Sequence, residues 1–297
     1  MNTFDVTDDV HGIDYGLFDE GVGAVYLIRG EEPTLVDAGT AAGADAIVDG
    51  LADYDLDPED LANVVCSHVH VDHAGAASAL VEAAPDVDVY IHHSTVDHLA
   101  NPEALVESSR QALGDHFEAI GAPGPIPREN ITPVPDEGAT IDLGSSTLEL
   151  IHAPGHSPDH LAIWNPEREL LFASECLGSH LPRAERWVPP ATLPNFDVEA
   201  LDAAIDRLRD LEPEQIVFPH CGEWPGDPED AFETAERELH RFDERILALH
   251  DEHGTLEETA AAVGEELLDI SPPYDPSVQG FYEQLIPAGY LRYHGRL

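Results

Sequence analysis

The sequence contains no lysine, only three cysteines and a single methionine, and all 13 of its basic residues are arginine. Its 60 aspartate and glutamate residues give a formal net charge of −47 at pH 7. A surface this negative repels phosphate groups, and no basic patch is visible along the chain. The composition therefore argues against nucleic acid and against an anionic membrane surface as partners.

Long apolar runs are also missing, since no segment approaches the roughly 20 consecutive apolar residues that a membrane span needs. The first ten residues, MNTFDVTDDV, are acidic where a secretory signal is basic and then apolar. Three cysteines in 297 residues do not amount to a disulfide framework. Together these absences predict a cytoplasmic protein.

The excess of acids has a simple physical interpretation. Salt at about 1 M screens charges over roughly 3 Å, so carboxylates that repel one another in dilute buffer become tolerable. The acids are interspersed with apolar residues, which make up 42% of the chain, and this pattern is typical of a folded protein. We therefore expect a halophilic protein in a salt-rich cytoplasm, and stability in dilute low-salt buffer would contradict this interpretation.

Short runs rich in β-branched residues, bounded by Gly, Pro and Asp, predict β-strands in the first 220 residues. They are residues 22–28, 34–36, 64–66, 87–91, 141–143, 147–151, 161–164, 170–173 and 215–218. Helical patterns lie between them at residues 41–51, 74–83, 102–120 and 198–211. Groups of strands with intervening helices predict a layered α/β protein.

The chain changes character at the turn-rich segment GEWPGDP, residues 222–228. Beyond it, residues 229–250 are typical of one long amphipathic helix, and residues 255–258 have capping-box spacing for another. We therefore predict a metal-binding domain at residues 1–225 and a helical subdomain at 226–297 with no site chemistry of its own. The C-terminal helices are candidates either for pairing two copies in a homo-oligomer or for capping the site.

The strongest chemical signal is the segment SHVHVDH, residues 67–73, directly after a predicted strand. Histidines two apart in an extended segment point the same way, so His68 and His70 can converge on one cation. The turn into the following helix directs Asp72 and His73 toward a neighbouring position. The cluster therefore supplies ligands for two metal ions in one cleft.

Three further sets of potential ligands follow predicted strands: His156, then Glu175 with Cys176, and then His220. Loops at strand ends are where a rigid sheet can hold a site and still leave it open to a substrate. We expect these side chains to complete the site that the histidine cluster begins.

These motifs, in this order, resemble the metallo-β-lactamase superfamily. The resemblance covers about residues 20–222: LVDAG at 35–39, the HVHVDH cluster, the PGH that ends at His156, LFASE at 171–175 and FPH at 218–220. It implies an α/β fold of the αββα sandwich type, with two metals at one edge of two packed sheets. The helical segment predicted at residues 226–297 would be a C-terminal extension of this fold.

The resemblance also implies which residues bind metal. The first metal would be held by His68, His70 and His156, and the second by Asp72, His73 and His220. Asp37 would orient one of the ligand histidines. Two divalent metal ions are implied, with zinc as the first expectation and iron or manganese as alternatives, because histidine and carboxylate ligands accept all three.

One position departs from the family pattern. The family normally has Gly-Asp where this chain has Ser174 and Glu175, and that Asp bridges the two metals. Glu keeps the carboxylate but moves it by one methylene, so bridging, binding to one metal and withdrawal all stay open, with Glu175 expected as a ligand. Cys176 is the rival ligand, whereas Cys66 and Cys221 are expected to be small buried residues.

The function implied by the resemblance is that of a dinuclear metal-dependent hydrolase similar to the glyoxalase II branch. Its nucleophile would be a metal-bound hydroxide, available near neutral pH because coordination lowers the pKa of water. Asp72 would be both a ligand and the catalytic residue that orients this nucleophile. The expected substrate is a small ester, thioester or lactone.

Two alternatives stay open. Residues 156–159 and 171–178 also resemble the metal domain of flavodiiron proteins, which would make the chain a diiron redox or oxygen-binding protein. Those proteins, however, usually carry Glu at the position of His70 and continue into a flavodoxin domain, so His70 favours hydrolysis. The second alternative is a non-catalytic protein in which Glu175, in place of the usual Asp, leaves the second metal site incomplete.

Two segments are candidates for contacting the substrate, a helical insertion at residues 102–128 and a long loop at residues 178–195. Arg183 or Arg186 in this loop could meet an anionic group of a small-molecule substrate. A surface position within the acidic coat is the more common outcome for such arginines.

Overall fold

The computed structural model describes residues 2–220 and 222–297, and for Asn2 it describes the backbone alone. Cys221, expected from the sequence to be a small buried residue, lies outside the described residues. The described chain forms two packed β-sheets covered by helices, which confirms the predicted αββα sandwich with C-terminal helices.

The first sheet has seven strands that lie in sequence order. They are β1 (Asn2–Asp5), β2 (Val10–Asp14), β3 (Ala24–Ile28), β4 (Thr34–Val36), β5 (Asn63–Val65), β6 (Asp88–His92) and β7 (Ile131–Val134). The pairs from β1 to β4 are antiparallel, and those from β4 to β7 are parallel. The parallel half brings the carboxyl ends of β4, β5 and β6 to one edge, where helical connections begin.

The second sheet is formed by the later strands. These are β8 (Ala139–Asp142), β9 (Thr147–His152), β10 (Leu161–Asn165), β11 (Leu170–Phe172), β14 (Gln215–Phe218) and β15 (Gly222–Glu223). Between β11 and β14 in the chain, β12 (Ser179–Leu181) and β13 (Arg186–Val188) form a separate hairpin. The strand order across the second sheet is β15-β14-β11-β10-β9-β8, and β11 pairs with β14 in parallel. The carboxyl ends of β11 and β14 therefore lie side by side.

Helices connect the strands and cover the sheets. They are α1 (Ala44–Ala52), α2 (Ala77–Ala83), α3 (Val96–Ala100), α4 (Glu103–Leu113), α5 (Phe117–Ile120), α6 (Val198–Arg209), α7 (Pro228–His253), α8 (Leu256–Val263) and α9 (Pro276–Tyr293). Among the described residues, no helix is both long and apolar enough to cross a membrane.

The side chains alternate between two cores along each inner strand. In β3, Tyr26 and Ile28 belong to the core between the sheets, whereas Val25 and Leu27 face the core beneath the helices. Leu161 and Ile163 of β10 meet the first pair from the opposite sheet. This period of two is what allows both faces of each sheet to be covered.

The nine predicted strands are all present, with bounds that shift by one or two residues. The helix predicted at residues 102–120 is interrupted because Gly114 adopts a positive φ of 54°, and the helix predicted from residue 74 begins only at Ala77. Residues before Ala77 form a turn in which the Gly75 amide donates to the Gly39 carbonyl, 2.8 Å away. This turn holds the histidine segment against the end of β4.

Candidate metal centre

The segment after β5 is folded back on itself at the edge of the first sheet. The His73 and Ala74 amides both donate to the His70 carbonyl, at 3.0 and 2.9 Å. The Ser67 carbonyl accepts from the Leu161 amide at 2.7 Å, which ties the segment to the second sheet. The two sheets therefore meet at the point where the histidines are placed.

Three histidine nitrogens converge within this edge. Nε2 of His68 lies 2.9 Å from Nδ1 of His70, and Nε2 of His156 lies 3.1 and 3.0 Å from these two atoms. His68 and His156 are buried, and His70 is half-buried. The three rings predicted to hold the first metal thus form a compact triangle of potential ligand atoms.

The position of His156 depends on the glycine before it. Gly155 has a φ of 146°, and a Cβ at this position would lie 2.5 Å from Cα of Leu201 in α6. The Gly155 carbonyl accepts from the Asp197 amide at 2.8 Å. Close contact with α6 therefore requires glycine here and fixes the direction in which His156 enters the site.

The second group is adjacent to the first. Asp72, His73 and His220 have potential ligand atoms within 4.8 Å of one another. Oδ2 of Asp72 lies 3.9 Å from Nε2 of His73 and 3.6 Å from Nε2 of His220. The structure therefore brings together the three residues predicted to hold a second metal.

Glu175 lies between the two groups. Its Oε2 atom is 2.8 Å from Nε2 of His156, 3.3 Å from Nε2 of His68 and 3.3 Å from Nε2 of His73. Its Oε1 atom is 3.8 Å from Nε2 of His220. Of the outcomes left open by the sequence, the geometry supports a shared carboxylate, because one oxygen reaches both groups.

The residue before Glu175 shows how the substitution is accommodated. Ser174 adopts a positive φ of 47°, a conformation that favours glycine and costs another residue about 1 kcal/mol. The Glu175 amide donates to Nε2 of His160 at 3.1 Å, and the buried His160 ring in turn contacts Sγ of Cys176 through Nδ1 at 3.3 Å. The backbone that carries the Glu175 carboxylate is therefore held by a buried histidine that the sequence analysis did not assign.

The hydrogen bonds of the outer ring nitrogens indicate that the site is built for cations. Nδ1 of His73, His156 and His220 donates to Asp37 Oδ2, the Pro190 carbonyl and the Val22 carbonyl, at 3.0, 2.7 and 2.9 Å. In the neutral ring, a proton on Nδ1 leaves each Nε2 with a lone pair that points to the centre, where a metal ion can replace the second proton of a charged ring. Nε2 of His73 is buried and forms no hydrogen bond of good geometry, although Oε2 of Glu175 lies 3.3 Å away. Converging lone pairs and carboxylates fit a dinuclear metal site.

Electrostatics around the rings agree with this interpretation. Burial holds the pKa of His68 well below its ordinary value and lowers the pKa of His70 to about 4, so both rings stay neutral, as a metal ligand requires. Burial also acts against protonation of His73, but the Asp37 and Asp72 carboxylates raise its pKa well above the ordinary value. The second group therefore favours positive charge at its centre.

Two aspartates accept hydrogen bonds from residues 67–73 but are not proposed as metal ligands. Asp37 accepts from the Ser67 amide at 2.8 Å as well as from His73, which is the orienting role that the resemblance implies. Asp159 accepts from the Val69 amide at 2.9 Å and from the hydroxyls of Thr95 and Ser157. Asp159 was missed in the sequence, although it lies in the same HSPDH motif as His156.

Cys176 is not placed as a ligand, so the rival prediction for this residue is wrong. Its buried thiol donates to the Ala153 carbonyl at 3.4 Å, and it belongs to neither ligand group. Burial raises the pKa of the Cys176 thiol and that of Cys66. Both are therefore protonated, buried side chains, as expected for Cys66.

A further group of histidines lies outside the predicted ligands. Nε2 of His92 and Nε2 of His93 lie 3.0 and 2.8 Å from Oδ1 of the exposed Asp136, and the ring of His152 stacks on that of His92. His92, Asp136 and His152 have potential ligand atoms within 4.8 Å of one another and form a third group, separate from the two proposed ligand groups.

A cavity of about 240 Å³ opens over the ligand groups. His70, Asp72, His156 and Glu175 line its floor. Its sides come from α4, from residues 189–195 and from α9. The predicted ligands therefore face a space in which a small molecule can lie.

The C-terminal segment contributes to this cavity, contrary to the expectation that it holds no site chemistry. Phe281, Tyr282 and Leu285 of α9 are among the lining residues. Arg183 and Arg186, considered for contacting a substrate, do not line the cavity and instead form ion pairs with Asp19 at 3.1 Å and Asp269 at 3.3 Å. The position of α9 agrees with capping of the site, one of the two roles left open for the C-terminal helices, although no helix was predicted at residues 276–293 itself.

Comparisons with known proteins agree with this architecture. A family model described as Metallo-beta-lactamase superfamily matches residues 18–220. The crystal structure of the metallo-beta-lactamase superfamily protein ST1585 from Sulfolobus tokodaii superposes with a TM-score of 0.73 and 20% sequence identity, over 97% of this chain and 99% of that one. The likeness includes the C-terminal helices, because it covers nearly the whole chain.

Two curated relatives differ in the chemistry that their names describe. "Probable metallo-hydrolase YqjP" of Bacillus subtilis is 24% identical over 220 residues, which cover 67% of this chain and 66% of YqjP. "Rubredoxin-oxygen oxidoreductase" of Megalodesulfovibrio gigas is 27% identical over 174 residues, which cover 57% of this chain and 37% of that protein. The matched region thus spans between about a third and two thirds of these relatives.

Proposed function

Because the chain belongs to the metallo-beta-lactamase superfamily, we propose that it is a dinuclear metal-dependent hydrolase of small esters, thioesters or lactones. The ligands of the first metal are His68, His70, His156 and Glu175, and those of the second are Asp72, His73, His220 and Glu175. Zinc is the metal proposed for both positions, since it suits imidazole and carboxylate ligands.

One observation carries this proposal: His70 takes part in the first ligand group. Its Nδ1 atom lies 2.9 and 3.0 Å from Nε2 of His68 and Nε2 of His156. A neutral imidazole here leaves three uncharged ligands around the first position, with Glu175 as the single carboxylate. Such a position keeps a dication strongly Lewis acidic, which serves hydrolysis rather than electron transfer.

Two dications at these positions would polarise a carbonyl group and lower the pKa of water. The carboxylate of Asp72, half-buried and at the floor of the cavity, would orient the attacking water and accept its proton. Tyr282 also lines this cavity, and burial raises the pKa of its hydroxyl, so that the side chain stays protonated and uncharged.

The net charge supports two further parts of the proposal. A charge of −47 disfavours nucleic acid and leaves small molecules as substrates. It also fits a salt-rich cytoplasm, because the self-repulsion of the carboxylates is screened there. We expect the melting temperature to rise steeply with KCl concentration, and a melting temperature independent of salt would contradict this part.

The alternative function is a diiron redox or oxygen-binding protein. It is favoured by relatives whose names describe redox proteins, among them the rubredoxin-oxygen oxidoreductase. The shared carboxylate of Glu175 would serve two irons as well as two zincs. The choice between the two functions therefore depends on which metal the protein carries.

Metal analysis tests the two functions directly. The protein is purified without added metal, its zinc and iron are measured, and its turnover is assayed with a panel of neutral esters, thioesters and lactones. Two zincs per chain with turnover are expected. Two irons with an oxygen-sensitive visible spectrum and no turnover would favour the redox alternative, and a single metal with no turnover would indicate a non-catalytic protein.

A further inference from the structure

From the lining of the cavity we propose that the substrate is uncharged, and that its apolar acyl group, of about ten non-hydrogen atoms at most, occupies the space between α4 and α9. This inference rests on the proposed hydrolase function, and it adds the class of substrate.

The sides of the cavity are apolar. Leu105 and Leu113 of α4 line the cavity together with Phe281 and Leu285 of α9, and Ala191 of the loop at residues 189–195 lines it as well. All five side chains are buried. The remaining side positions are mainly prolines and uncharged polar residues, such as Ser108 and Thr192. An aliphatic or aromatic group would therefore be removed from water here, which is favourable in proportion to its area.

No arginine among the described residues lines the cavity, and the whole sequence contains no lysine. The charged carboxylates of the lining are Asp72, Asp159 and Glu175. Asp159 is occupied by its bonds to Val69, Thr95 and Ser157. An anionic group on the acyl chain would find no counter-charge along the sides and would lose its hydration.

The arginines on the wall helices are engaged elsewhere. Arg110 of α4 pairs with Glu118 at 3.0 Å and lies over the ring of Phe117, 4.4 Å from its centroid. Arg292 of α9 donates through Nε to the Pro194 carbonyl at 3.0 Å, and it is not among the lining residues. Neither arginine is placed to receive a carboxylate of the substrate.

The volume sets the size of the acyl group. An apolar cavity of about 150 Å³ holds benzene, with its six non-hydrogen atoms. In proportion, the 240 Å³ found here holds about ten such atoms. A hexanoyl or phenylacetyl group fits this space, whereas a long fatty acyl chain does not.

The test compares two esters whose acyl chains have the same number of carbons and differ at the far end. The zinc-loaded protein is assayed with p-nitrophenyl hexanoate and with the mono-p-nitrophenyl ester of adipic acid, in which a carboxylate replaces the terminal methyl group. Both are measured in about 1 M KCl, where long-range repulsion is screened over roughly 3 Å. We expect kcat/KM for the charged ester to be lower by about 100-fold or more, because the carboxylate must be desolvated.

A pair of variants places a cation inside and outside the cavity. Ser109→Arg adds a guanidinium to a half-buried lining position of α4, and Gln111→Arg adds one to an exposed position of the same helix outside the lining. Ser109→Arg should raise kcat/KM for the charged ester about tenfold or more over the unmodified protein, since the carboxylate then has a partner. Gln111→Arg should leave it unchanged.

The outcomes separate this inference from the proposed function. Equal turnover of the two esters, within about threefold, would overturn the inference and leave the hydrolase intact, as would equal effects of the two variants. If neither these two esters nor any ester, thioester or lactone of the panel is turned over, the hydrolase proposal fails. Calorimetry with hexanamide and with the monoamide of adipic acid then tests the cavity alone: binding of hexanamide only supports it, and any other result contradicts it.

Discussion

The floor and the wall of the cavity are built from different kinds of sequence. The floor, taken with the ligand groups it belongs to, consists of the seven proposed ligands: His70, Asp72, His156 and Glu175, which line the cavity, and His68, His73 and His220, which do not. The wall consists of the cavity-lining residues of α4, of residues 189–195 and of α9. The floor residues are histidines and carboxylates at the ends of strands, and the wall residues are mostly ordinary apolar side chains on helices and a loop.

The two regions are also held in different ways. The floor is fixed by hydrogen bonds to buried groups, such as those from His73 to Asp37 and from His156 to the Pro190 carbonyl. The wall is held mainly by packing of apolar side chains, with few hydrogen bonds between its elements. One of these is donated by the Gln284 side chain of α9 to the Ala112 carbonyl of α4. We therefore expect residues of the floor to determine whether any substrate reacts, and residues of the wall to determine which substrates react.

The largest effect is expected from the centre of the floor. His68→Ala removes the buried nitrogen that lies near His70, His156 and Glu175 at once. We expect loss of the first metal and a fall in kcat/KM of about 10³-fold or more for every substrate, because the polarising cation is lost. Metal content and ester turnover measure this, with His253→Ala at an exposed position as the matched control. Full activity of His68→Ala would refute the ligand assignment.

A smaller but still large effect is expected from Glu175→Gln. The amide keeps the shape of the side chain but removes the charge that one oxygen shares between the two groups. We expect the metal content to fall from two to one per chain and kcat to fall about 100-fold, because a neutral amide is a weak ligand for zinc. Plasma emission analysis and initial rates provide the measurement. Glu137→Gln, at an exposed position, is the control.

If Glu175→Gln retains two metals and the rate of the unmodified protein, the Glu175 carboxylate does not bridge the two metals. The predicted floor would then depend on the histidines and Asp72 alone.

An intermediate effect is expected one step away from the metals. Asp37→Asn keeps one acceptor oxygen but cannot serve both the Ser67 amide and Nδ1 of His73 as the carboxylate does. We expect the affinity for the second metal to fall 10- to 100-fold, roughly the loss typical of such orienting residues. Titration against a competing chelator measures this. Asp202→Asn, which also contacts a histidine, His240, at 3.1 Å but lies outside every group of potential metal ligands among the described residues, should leave the affinity unchanged.

The floor could be predicted from the sequence because its signals are local and chemically distinctive. Four of the seven proposed ligands lie within six residues, and each of the others follows a strand whose apolar pattern is clear. The sequence left open whether the Glu175 carboxylate bridges the two metals and whether Cys176 is a ligand. The first depends on the extra methylene group of Glu, and the second depends on the direction in which the thiol points. Such differences depend on the fold around Ser174 and His160, which no local pattern encodes.

The wall could not be predicted because its residues meet only in the folded chain. Phe281 and Leu105 are remote in sequence, and apolar side chains have no feature that distinguishes a cavity from a core. The helix α9 itself was not predicted, since Pro287, Gly280 and Gly289 interrupt its pattern. A layered α/β protein was predictable from the strand patterns, and the αββα sandwich only from the resemblance to the family. Strands β1, β2, β7, β12, β13 and β15 and the break at Gly114 were missed.

The smallest effect, and the one most specific to the wall, is expected from Ala112→Phe. Ala112 lines the cavity, so a phenyl group there should fill part of the acyl space without touching the ligand groups. We expect kcat/KM to fall about tenfold for p-nitrophenyl hexanoate and to stay the same for the acetate, since only the longer chain needs that space. Ala104→Phe, at an exposed position of the same helix, should change neither value. Metal content should stay at two per chain, because the floor is untouched. An equal fall of kcat/KM for both esters would mean that a change in the wall also impairs the reaction at the ligand groups. The two regions would then not act separately.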